Sequence, residues 1–193
     1  MTRLRKLAVA ELSEDQRSLY DDITGGPRAK GPQAFSLTDS EGQLVGPFNA
    51  MLLSPQLGRS LQALGAAVRY GTGLTDRERE IAILIVASAW DSAFERYAHE
   101  AVGRAVGLTI DEMVSIRSGT VEAFGGRERR VAETVHALAG SGDLDDAAYR
   151  VVVDELGEDV LFQLTTLVGY YATLALQLRV FGVAAPEAPT APA

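Results

Sequence analysis

The chain has no cysteine. Disulfides, thiolate metal sites and all thiol-based redox chemistry are therefore excluded, and the absence fits a cytoplasmic protein. Histidine is scarce, with only two, His99 and His136. Without an H-x-x-x-H pair they give no complete metal ligand set. Glu133-x-x-His136 matches part of the di-iron bundle pattern, which needs a second copy and further glutamates. A basic stripe is missing too. The 18 basic and 26 acidic residues leave a net charge of −8, which argues against a nucleic-acid or membrane surface. "GGPRAKG" (Gly25–Gly31) lacks the G-K-[ST] ending of a phosphate loop. The N-terminal apolar stretch of four residues in "MTRLRKLAVAELSEDQ" is too short for a signal peptide. Val160–Val183 alone is long and apolar enough to span a bilayer. It contains Gln163, Gln177 and Arg179, and is expected to be a buried central helix, shared in part with another subunit.

What is present reads as helix. Of 193 residues, 47% are hydrophobic and 23% charged, in the range of one ordinary domain. Ser13-Glu14-Asp15-Gln16, Thr75-Asp76-Arg77-Glu78 and Thr109-Ile110-Asp111-Glu112 spell capping boxes. Leu108 and Met113 flank the last as a hydrophobic staple. Ser54-Pro55 supplies an N-cap and a first-turn proline, and Gly107 a C-terminal glycine. The 3.6-residue patterns run over Ser13–Ile23, Pro55–Tyr70, Asp76–Ala89, Ser92–Val106, Ile110–Ser118, Arg127–Leu138, Asp146–Glu155 and Glu158–Phe181. No period-2 segment competes with them. The expectation is an all-α bundle of about eight helices. Residues 1–45 would form an N-terminal helix and irregular extension, 46–183 the helical domain and 184–193 a disordered tail. The Gly- and Pro-rich segment Thr24–Pro47 is long for a connection in a compact domain, which marks it as functional or packed against a neighbour.

Chemistry concentrates in "EIAILIVASAWDSAFERYAH" (Glu80–His99). Ser92, Glu95 and His99 share one helix face by their spacing. Imidazole is the side chain that ordinarily exchanges protons near neutral pH, and Glu80 stands where the preceding helix enters the core. An ordinary reading competes: Ser92-x-x-Glu95 is itself a capping box, and Glu80 an edge carboxylate paired with an arginine. His136, one turn after Glu133, reads as an ordinary helix residue.

Leu74–Ile116, with Gly46–Leu74 before it and Phe162–Val183 after it, resembles the carboxymuconolactone decarboxylase family, which shares its fold with alkyl hydroperoxidase D. The hydroperoxidase pattern of a glutamate, two cysteines three apart and a histidine four further on falls on Glu80, Ser92, Glu95 and His99. Both cysteine positions are replaced, so thiol peroxidase activity is excluded. The resemblance implies an alkyl hydroperoxidase D-like helical bundle, a trimeric or hexameric homo-oligomer, and a small-molecule substrate handled without metal or organic cofactor.

On that resemblance the expected activity is a lyase of the carboxymuconolactone decarboxylase type. His99 is the acid/base candidate, with Glu80 or Glu95 orienting it or sharing its proton. Arg69, Arg77 or Arg79 would anchor a substrate carboxylate. Ser92, Asn49 and Trp90 complete the candidate substrate-binding set, with Asn49 equally placed to cap a helix. Two other readings stand beside this one: a catalytically silent oligomeric binding protein, and a hydrolase or isomerase using the same pocket. The extension before Val45, which short decarboxylases of the family lack, suits a larger carboxylated or lactone-like substrate.

Overall fold

A computed structural model describes residues 3–26 and 36–186. Among these residues the chain is helical, with no β-sheet and a single antiparallel bridge between Thr38 and Leu44. After a short 3-10 turn at Val9–Glu11, the helices are α1 Glu14–Gly25, α2 Phe48–Met51, α3 Pro55–Tyr70, α4 Asp76–Ala89 and α5 Ala93–Ala105. They continue as α6 Ile110–Arg117, α7 Gly126–Ser141, α8 Asp146–Leu156 and α9 Glu158–Val180. Each expected segment is found within two residues at its start, and α2 is added at the end of the irregular stretch.

The capping boxes at Ser13, Thr75 and Thr109 all form, each with reciprocal side-chain bonds. They satisfy amide groups that the first helical turn leaves without partners. Gly107, just past the end of α5, takes the left-handed φ of +90° that a C-terminal glycine allows. Ser54 does not cap α3, although Pro55 sits in its first turn.

Helix α4 is the axis of the molecule. Its residues Ile81 through Ala87 are all buried, and it packs against α5, α6, α7 and α9. A helix apolar on every side has to be surrounded, and this one carries Glu80 into the centre at 0% exposure. Arg77 fastens its start, reaching Glu128 and Glu112 at 2.7 Å each.

The N-terminal extension belongs to the same core. Leu19 and Ile23 of α1 are fully buried in the main hydrophobic cluster, and α1 packs on α3. Asn49 Nδ2 donates to the Arg5 carbonyl at 3.0 Å, and its Oδ1 accepts from the Leu7 amide at 3.1 Å. Arg3 N donates to the Phe181 carbonyl at 2.9 Å. Residues 27–35 of the irregular extension and 187–193 of the expected tail lie outside the described residues.

By length and composition α9 is apolar enough to cross a membrane. Its inner face, including Leu164, Leu167, Tyr170, Tyr171 and Leu174, is buried against α4, α7 and α8. Its outer face leaves Phe162, Leu176 and Val180 exposed.

Candidate active site

The link between α4 and α5 sets the site. Asp91 adopts a left-handed φ of 48°, a conformation that asparagine and aspartate tolerate better than most residues. Its carboxylate pairs with Arg96 at 2.9 Å. The Ser92 amide folds back onto the Ala87 carbonyl at 2.8 Å. The two helices therefore meet at a tight elbow, and α5 packs back against α4.

The competing reading of Ser92-x-x-Glu95 as a capping box is not met there. Ser92 makes no side-chain cap bond to α5, unlike Ser13, Thr75 and Thr109. Ser92 and Glu95 are buried instead, at 6% and 3% exposure. Neither the Ser92 hydroxyl nor either Glu95 carboxyl oxygen has a hydrogen-bond partner of ordinary geometry. A buried polar group left unpaired costs about 1–3 kcal/mol. Ser92 and Glu95 carry that cost side by side.

Burial pushes the Glu95 carboxyl up to about 8, with the adjacent Ser92 hydroxyl pulling weakly the other way. No proper hydrogen bond joins the two, so desolvation governs. Burial thus favours the protonated form of Glu95, which is able to donate a hydrogen bond.

One turn further, His99 Nδ1 lies 2.7 Å from Glu80 Oε2. With Nδ1 donating to a Glu80 carboxylate, Nε2 is the ring nitrogen left to exchange a proton. The second Glu80 oxygen has no partner. Tyr171 meets the imidazole edge-on, with centroids 5.2 Å apart, and Tyr170 meets Tyr171 in the same way at 5.1 Å. These contacts hold the ring between α4 and α9.

His99 and Glu95 line a small cavity of about 40 Å³, closed by Phe48, Phe94 and Tyr171, with Arg69 of α3 on its wall. The Arg69 guanidinium stacks over Tyr70, and its buried Nε has no partner. Arg69 is thus the cation of this cavity.

The other candidates lie elsewhere. Arg77 is held by Glu112, Glu128 and the Gly107 carbonyl, and Arg79 pairs with Asp76. Asn49 is buried, its amide bound to the N-terminal segment. Trp90, half-buried at the end of α4, does not line the cavity; its carbonyl accepts from Arg179. Glu133 is paired with Arg129 and Arg130 rather than turned to His136. Burial holds the His136 imidazole below its ordinary pKa. Among the described residues no three His, Asp or Glu side chains are grouped to hold a metal ion. Tyr171 and Phe94 escaped the sequence reading, because an aromatic on an apolar helix face looks the same whether it walls a cavity or fills a core.

No protein-family model matches the chain, and no curated protein matches it in sequence. Its shape does have solved counterparts. A peroxidase-related protein from Ralstonia eutropha JMP134, described as an alkylhydroperoxidase AhpD core, superposes with a TM-score of 0.73 at 15% identity, over 96% of this chain and 93% of that one. A putative antioxidant defence protein AhpD from Agrobacterium tumefaciens gives 0.66 at 19% identity, over 72% of this chain and 97% of that one. The debrominase Bmp8, solved with 2,3,4-tribromopyrrole, gives 0.67 at 13% identity, over 97% of this chain and 92% of that one. The chain has an AhpD-like helical fold and lacks the cysteine pair.

Proposed function

We propose that this AhpD-like chain is a cofactor-free enzyme of small carboxylated or lactone-like substrates, a carboxy-lyase working by proton transfer between His99 and carbon. The observation that carries the reading is the buried Glu80–His99 hydrogen bond of 2.7 Å at the wall of a cavity shared with Glu95.

In this reading Arg69 pairs with a substrate carboxylate. A neutral Glu95 admits that anion, where an ionised one would repel it across the same small space. The bond from the substrate carbon to the departing carboxylate breaks, its electron pair stays on the substrate as an enolate, and carbon dioxide leaves. The Glu95 hydroxyl donates to the enolate oxygen. His99, protonated at Nε2, transfers that proton to carbon, and solvent protonates it again. Glu80 is a positioning residue: by its bond to Nδ1 it fixes the orientation and tautomer of the ring. An isomerase would use the same groups without loss of carbon dioxide. Homo-oligomerisation, which the family resemblance implies, would cover the exposed Phe162, Leu176 and Val180 of α9.

The test is carbon dioxide release from 4-carboxymuconolactone and from larger carboxylated lactones, beside the His99→Ala variant. Release reduced about 10²–10⁴-fold in the variant is expected, the usual worth of a positioned acid/base. Equal release by both proteins would remove His99 from the mechanism, and no release from any of these substrates would remove the lyase.

A further inference from the structure

The cavity at His99, about 40 Å³, is far too small for a lactone. Since one water needs roughly 10–15 Å³ by this kind of measure, it has room for a few waters. A second cavity of about 450 Å³ lies directly beyond Phe94, in the size range of small-molecule sites. Phe94 is the one residue that lines both.

The outer cavity is chemically plain. Leu44, Val45 and Tyr97 line it together with Phe94. The polar side chains on its wall are largely engaged within the protein. Lys6 and Asp39 pair at 2.6 Å, so their charges cancel. Asn49 is bonded to Arg5 and Leu7, and the Ser36 hydroxyl donates to the Thr38 carbonyl. Such a wall fits an uncharged apolar body and has little to give a charged one.

Phe94 is also bordered by space on more than one side. It belongs to a small cluster with Ala98 and Leu178, separate from the main core, with Val45 and Val183 packed against it. On another side lies a third cavity of about 190 Å³, beside Ser92 and Arg179. The ring sits on Gly46 so closely that a Cβ there would be 2.3 Å from Phe94 Cζ. Glycine at 46 thus leaves the ring the space it occupies in this closed arrangement.

We infer that the outer cavity binds the apolar, uncharged body of the substrate, and that Phe94 is the movable wall past which its carboxylated end reaches His99 and Arg69. The inference rests on the reading of His99 as the reacting end and adds the substrate class: a carboxylate joined to a body of at least ring size. The body, seated first, holds the displaced ring aside, so small carboxylates lacking it are poor ligands.

The experiment uses the full chain, 1-naphthylacetate as probe and acetate as the bodiless control. Ring-nitrogen NMR signals of the two histidines are followed, with His136→Gln assigning His99. One 1-naphthylacetate is expected per chain, moving the His99 signals, while acetate at the same concentration leaves them unmoved. Val45→Trp, which fills the outer cavity, should weaken binding at least tenfold. Phe94→Ala should let acetate alone move His99. Equal binding by Val45→Trp and wild type, naphthylacetate binding that leaves His99 unmoved, or no binding at all would overturn the proposal. Should a variant fail to fold, neutral N-phenyl-1-naphthylamine decides in the wild type. It should displace 1-naphthylacetate one for one and reverse the His99 shift, and simultaneous binding of both would overturn the proposal. None of these readings needs turnover. Failure here beside His99-dependent release of carbon dioxide leaves the lyase standing, whereas intact binding without release removes only the lyase.

Discussion

Replacing Glu95 by glutamine should make the protein more stable, and increasingly so as the pH rises. The folded carboxyl titrates at about 8 against an ordinary value of 4.5, chiefly because burial penalises its charge. Between those two values the folded chain keeps a proton that the unfolded chain has already released. Stability from this group is therefore complete below the ordinary carboxyl pKa and is lost as the pH climbs through 8. The slope is about 1.4 kcal/mol per pH unit. Over the whole interval the loss amounts to at most about 5 kcal/mol, a large part of the roughly 5–15 kcal/mol that holds a domain folded. Glutamine fills nearly the same volume, retains a donor and has no proton to lose.

Urea unfolding of wild type and Glu95→Gln at half-unit steps from pH 5 to pH 8 reads this difference directly. Protein concentration is held fixed so that any assembly equilibrium contributes equally. The gap between the two should widen steadily with pH. Parallel curves would mean that Glu95 is already ionised in the folded chain, and the neutral donor would be lost from the mechanism. Turnover should respond in the same direction, falling in the wild type as the pH passes 8 and losing that fall in the variant.

Three further outcomes follow from the geometry. Thr75→Ala should cost about 1 kcal/mol, the worth of a formed cap, whereas Ser92→Ala, which removes a buried unpaired hydroxyl, should be neutral or stabilising; equal losses in urea unfolding would restore Ser92 as a cap. Gly46→Ala, at a φ of +65° and with its new Cβ only 2.3 Å from Phe94 Cζ, should lose roughly 1–3 kcal/mol, and an unchanged thermal midpoint would contradict that contact. Glu80→Gln should lower kcat by about 10²–10⁴-fold with KM nearly constant, because it acts on the His99 tautomer; a change in KM alone would make Glu80 a binding group instead.

The helices were largely legible because their signals are local. Thr75 and Glu78 meet within one turn whatever surrounds them, and the run from Ile81 to Ala87 has to be enclosed wherever it lies. Glu80, Glu95 and His99 were legible as candidates through spacing. What spacing does not carry is the partner across the fold. Asn49 looked ready for a substrate oxygen or a helix cap, yet it ties down Arg5 and Leu7, more than forty residues earlier in the chain. Arg69, Arg77 and Arg79 looked alike, and only the packing of α3 against α9 gives Arg69 to the cavity.

Ser92 and Glu95 show most sharply why the same letters take two meanings. Ser13, Thr75 and Thr109 cap their helices with ψ near 160–170°, which turns the hydroxyl over the first-turn amides. At Ser92 ψ is 95°, and the hydroxyl makes no bond to them. One residue earlier Asp91 turns left-handed, at the elbow that brings α5 back onto α4. A capping sequence placed in so tight an elbow cannot cap, and its carboxyl is carried inward beside His99. The geometry that denies Glu95 its helix-end role is thus the same geometry that desolvates it and keeps it neutral. Lengthening the elbow by two glycines after Asp91 should therefore do two things together. It should restore the Ser92–Glu95 box and return the Glu95 carboxyl to its ordinary range, read as loss of the protonated-carboxyl infrared band at pH 7. A band that persists in the lengthened chain would show that burial of Glu95 does not depend on the elbow.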